Sequence, residues 1–81
     1  MAAIVTIERA CQHGLDVDPV TAYVVNGDSA VEFRMDLFEK LESYFGENGY
    51  FFVDDFCGRG YTINEFGDIE EWDVVIEDLL V

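Results

Sequence analysis

Apolar and polar positions along the chain change period several times, and each change predicts an element. Ile4, Ile7, Cys11 and Leu15 are spaced to share one face of a short helix over residues 4–15, with Thr6 as N-cap and Gly14 as stop. The run Ile4-Val5-Thr6-Ile7 reads equally well as a strand. Asp16-Val17-Asp18-Pro19 predicts a turn. Thr21 to Val25 is rich in strand formers, and Asn26-Gly27 after it is a strong hairpin signal. Val31, Phe33 and Met35 then alternate with Glu32 and Arg34, so residues 20–35 are expected to form a hairpin. Against this, Ser29-Ala30-Val31-Glu32 has the form of a capping box that opens a helix. The turn signal and the alternation favour the hairpin.

A helix is expected over residues 37–45, capped by Asp36 and answered by Glu39. Leu37, Leu41, Tyr44 and Phe45 form its apolar stripe beside Phe38, and Gly46 and Gly49 end it. Tyr50 to Phe56 predicts a strand, Cys57-Gly58-Arg59-Gly60 a tight turn, and Tyr61 to Phe66 the returning strand. The segment from Asp68 onward is balanced. Ile69, Trp72, Ile76 and Leu79 fit a helical face, while Trp72, Val74 and Ile76 alternate through a β-branched run that disfavours helix. The fold class expected is α+β, a small antiparallel sheet of about four strands with one to three helices packed on one face.

Eighty-one residues make a single compact domain. Seven Phe, four Tyr and one Trp supply a core, so the chain is not expected to be disordered despite its charge. The longest apolar run is far short of a membrane span, and the start of the chain, Met1 to Glu8, lacks the basic region of a secretory signal and meets an acid early. Two cysteines are too few for a disulfide framework, so a reducing cytoplasm is the expected compartment.

Chemistry-bearing motifs are sparse. Cys11, His13 and Cys57 lack the paired spacing of a metal site. Asp16-x-Asp18 and Asp54-Asp55 lack the calcium-loop pattern, and Gly58-Arg59-Gly60 does not open a helix as a phosphate loop would. No cofactor, metal or catalytic set is expected, and the chain is read as a non-enzyme.

Charge is the dominant feature. Eighteen acids oppose four Lys+Arg, a net charge of -14. Solubility needs a magnitude of only about 2 to 8, and excess like charge destabilises a compact state. Halophily would also produce such a balance, but the many phenylalanines speak against it. Direct binding to nucleic acid or an anionic membrane is excluded by repulsion. Between Glu65 and Asp78 seven acids occur with no base: Glu65, Asp68, Glu70, Glu71, Asp73, Glu77 and Asp78. On the central helix Asp36, Glu39 and Glu42 recur every three residues, about 4.5 Å per step along the axis, against about 3.4 Å between phosphates of one DNA strand. One such stripe is too sparse to imitate a duplex; several acidic elements side by side approach it. These ten acids, with Asp54 and Asp55, are the expected contacts to a basic partner. A helical tail would put Glu70, Asp73 and Glu77 on one face, and a strand would still keep Asp73 with Glu77.

In length, charge and aromatic content the chain resembles the small acidic phage-encoded inhibitors of bacterial defence, the anti-CRISPR proteins and antirestriction DNA mimics. That resemblance implies a non-catalytic inhibitor in the host bacterial cytoplasm, a monomer or small homo-oligomer. It would bind a Cas effector subunit or another DNA-binding defence protein where target DNA enters. The chain is also similar in size and charge to immunity proteins and antitoxins that neutralise basic nuclease toxins.

Overall fold

A computed structural model describes residues 1–10, 21–47, 49–54 and 56–79. The elements in order are β1 (Ala2–Arg9), β2 (Thr21–Asn26), α1 (Ala30–Phe45), β3 (Gly49–Val53), β4 (Cys57–Ile63) and β5 (Ile69–Asp78). The strands form one antiparallel sheet in the order β2-β1-β5-β4-β3. The last strand is therefore the central one. The one helix among the described residues crosses from the β2 edge to the β3 edge and covers one face. The class is α+β as expected, with five strands in place of about four. None of the described helices is long and apolar enough to cross a membrane.

The count changes because the strand expected over residues 31–35 is lost to α1, while two segments that read equally as helix or strand, residues 2–9 and 69–78, both extend. Period two explains the choice. Ala3, Val5 and Ile7 are fully buried under α1, while the residues between them face the other way. The Cys11, His13, Gly14 and Leu15 part of the proposed helix, and the Asp16–Pro19 turn, lie outside the described residues.

The expected hairpin over residues 20–35 is replaced by a strand followed by a helix. Ser29 is the N-cap, in extended backbone, and its Oγ accepts the Glu32 N–H at 3.2 Å. Glu32 reaches back and its Oε2 accepts the Asp28 N–H at 3.1 Å, one residue earlier than in a strict capping box. The Val31–Phe33–Met35 alternation was coincidental. Val31 and Met35 are about two-thirds exposed, and only Phe33 packs on the core. Asn26-Gly27 makes no hairpin turn. Gly27 exchanges hydrogen bonds with Met1, and its α-carbon lies against the helix backbone at Phe33 with no room for a side chain.

Asp36 is thus inside the helix and not its cap. Its Oδ2 accepts the Asn26 N–H at 3.0 Å, tying the helix to the end of β2. Leu37, Leu41 and Phe45 are buried as expected, and Gly46, at φ 68°, closes the helix by donating to the Glu42 carbonyl.

Cys57 to Gly60 is not a turn but the first half of β4. The chain reverses earlier, where the Asp54 N–H donates to the Cys57 carbonyl and Asp54 Oδ1 accepts the Phe56 and Cys57 N–H groups at 2.8 and 2.9 Å. The strand expected to reach Phe66 ends at Ile63, because Asn64 Oδ1 takes the Phe66 and Asp68 N–H groups and folds the next turn. The balanced tail segment is a strand. Val74 and Ile76 are buried, and Trp72 packs against Tyr44 edge to face and donates to Thr62 Oγ1 at 2.9 Å.

Candidate interaction surface

Among the described residues one helix lies on one face, and none of them covers the opposite face of the sheet. Strand register fixes what it presents. Across β3, β4, β5 and β1 runs a row of Phe52, Arg59, Asp73 and Glu8. Beside it Tyr50, Tyr61 and Glu71 form a second row. Farther along, Ile4 opposes Glu77 and Val24. The face is aromatic at its β3–β4 side and acidic along β5 and β1.

The twelve acids expected to meet a partner do not share one face. Glu71, Asp73 and Glu77 point to the uncovered side of β5. Glu70, one position out of phase, points to the helix side, where it pairs with Arg9 at 3.0 Å. Asp78 is also out of phase and borders a groove of about 360 Å³ with Met1, Phe33, Arg34, Asp54 and Phe56. Glu65 and Asp68 sit in the β4–β5 turn and are exposed. Glu39 and Glu42 lie exposed on the outer side of α1. Asp55 lies outside the described residues.

Two of the twelve hold the fold together. The Asn26 amide, with Lys40 at 3.4 Å, keeps the Asp36 carboxyl below the usual aspartate range. Two amides, from Cys57 and Phe56, do the same for Asp54. Asp36 spends both oxygens, and Asp54 its Oδ1, inside the chain.

Glu8, Arg59 and the aromatic residues of this face were not anticipated. Glu8 becomes visible only if the first segment is a strand. Tyr50 and Phe52 could have been found from the alternation of β3, whose other members, Phe51 and Val53, pack toward the helix. Arg59 was hidden by the turn reading of its flanking glycines.

The chain's few cations are engaged internally. Arg59 lies 3.4 Å from Asp73 and 3.7 Å from Glu71, and the Tyr61 side chain together with these carboxylates holds its guanidinium more firmly charged than usual. Arg9 stacks over Trp72 at 5.0 Å and Arg34 over Phe38 at 5.4 Å. Among the described residues no group of three or more His, Cys, Asp or Glu is arranged to hold a metal ion; Cys11 and His13 lie outside them. Cys57 is exposed on the uncovered face. The arrangement is suited to binding cations through many weak charges and a few rings. No protein-family model, curated protein or solved structure matches this chain.

Proposed function

We propose that this protein is a non-catalytic inhibitor that occupies the basic nucleic-acid groove of a bacterial defence complex, in the manner of anti-CRISPR and antirestriction DNA mimics. One observation carries the reading. The four basic side chains are each turned onto the chain's own acids or rings, while carboxylates stand on the helix, the hairpin turn and the open sheet face alike. A surface built in this way repels phosphate from several sides and attracts a positive groove from a distance.

The test is displacement of labelled target DNA from a purified Cas effector or restriction complex at low and moderate salt. The wild-type protein is expected to compete, less well as salt rises. Reversing Glu71, Asp73 and Glu77 to Lys should weaken competition at least tenfold, mostly by slowing association. If neither salt nor reversal changes competition, the charge is incidental and the reading fails.

A further inference from the structure

The uncovered sheet face suggests a more specific contact. Tyr50 and Tyr61 stack on one another at 4.9 Å, and Phe52 lies 6.3 Å from Tyr61, giving a row of three neighbouring rings. Tyr50 and Phe52 are about 60% exposed. Aromatic platforms on sheets commonly stack nucleic-acid bases. Here Glu71 and Asp73 are the next residues across the sheet from Tyr61 and Arg59, and a phosphate backbone laid on the rings would run over them. A second copy of this chain fits no better, since face-to-face pairing would bring two acidic rows together under a charge of -14 on each chain.

A guanidinium satisfies both halves of the face. Its plane stacks on aromatic rings and its N–H fork pairs with carboxylates, where an ammonium offers only a point charge. The face already holds one such group: the Arg59 guanidinium lies beside Tyr61, between Asp73 and Glu71. We infer that the uncovered sheet face is a docking surface for arginine side chains of a basic protein partner, with Tyr50, Phe52 and Tyr61 as the stacking platform and Glu71 and Asp73 as the pairing acids. This rests on the proposed function and names the surface and the partner residue through which it acts.

The experiment compares nona-arginine with nona-lysine by amide NMR titration of the whole protein. Arginine is expected to bind roughly three- to tenfold more tightly at equal charge, with shifts concentrated on β3, β4 and β5. Tyr50→Ala with Phe52→Ala should bring the ratio to about one while the thermal melt stays cooperative. Glu39→Gln with Glu42→Gln should weaken both peptides alike and leave the ratio intact. Arg59→Gln, which vacates the seat, should tighten nona-arginine binding. Equal affinities, shifts confined to α1, unchanged or weaker binding by Arg59→Gln, binding of oligo-dT, or a dimer buried through this face would each overturn the inference. Its fate is separable from that of the inhibitor reading. Arginine docking on the sheet without displacement of DNA upholds the surface and defeats the inhibitor, whereas displacement with contacts mapped to α1 does the reverse.

Discussion

Asp54 illustrates how a single carboxylate can be mistaken for a binding group. In the sequence it is one of a pair of adjacent acids and looks available to a partner. In the fold its Oδ1 closes the β3–β4 turn through two amides. Those amides favour the charged form, so its folded pKa lies below the ordinary 3.8. A depressed pKa contributes stability that is present above the unfolded value and is lost as pH falls through the folded one. Asp54→Asn keeps an acceptor without the charge. The wild-type protein should therefore melt above the variant at pH 7, and the gap should begin to narrow near the ordinary aspartate value and go on narrowing as pH falls below it. A gap that stays constant or widens on acidification would contradict this role. Residue counts made the acidity of the molecule legible, but they could not separate acids that close turns from acids that face outward. That distinction depends on which amide each oxygen meets.

At the scale of elements, β2, most of β3, the second half of β4 and the second half of the helix were legible because their apolar periods matched the core they enter, while β1 and β5 read equally as helix or strand. The misread boundaries have a common cause: a local signal was answered by a distant neighbour. Gly58 and Gly60 look like turn residues, yet both lie in β4 on the side facing α1. A side chain at Gly60 would collide with the Phe45 ring, and one at Gly58 with Val53 and the Phe52 backbone. The missing side chain at Gly60 lets the end of the helix settle onto the sheet, where Phe45 stacks with Phe51 at 5.7 Å. Gly60→Ala is expected to cost roughly 1–3 kcal/mol in urea unfolding by overpacking. Adding Phe45→Leu should cost less in that background than in the wild type, because the ring no longer competes for the space. Strict additivity of the two changes would show that the glycine serves another purpose. The phase of β5 had the same kind of consequence for the site. Once Trp72, Val74 and Ile76 face the helix, Glu70 must leave the side occupied by Glu71, Asp73 and Glu77, and no count of acids reveals that.

The whole molecule is a thin slab whose surface charge has few internal counterions. Glu8 and Asp73 even stand directly opposite each other on neighbouring strands, a pairing that opposes the sheet. Screening should relieve this strain. Raising NaCl from low to about 0.2 M is expected to raise Tm by roughly 4–8 °C, the shift that about 1 kcal/mol produces in a domain of this size. A melt that falls with salt over that range would mean that attractive pairs such as Arg9–Glu70 outweigh the repulsion. A protein that folds only in molar salt would be halophilic instead.

The central place of β5 also governs when the molecule comes into being. Ala3 pairs with Asp78, and Cys57 with Val75, so one late strand joins a β1–β2 hairpin to a β3–β4 hairpin that otherwise share no ladder. During synthesis both hairpins leave the ribosome before the strand that unites them, and neither has a complete core until it arrives. Contacts so distant along the chain make folding slow as well as late. In that interval the inner edges of β1 and β4 are open to wrong partners, and a charge of -14 on every chain opposes such pairing. The acidity that strains the finished sheet thereby protects the unfinished one.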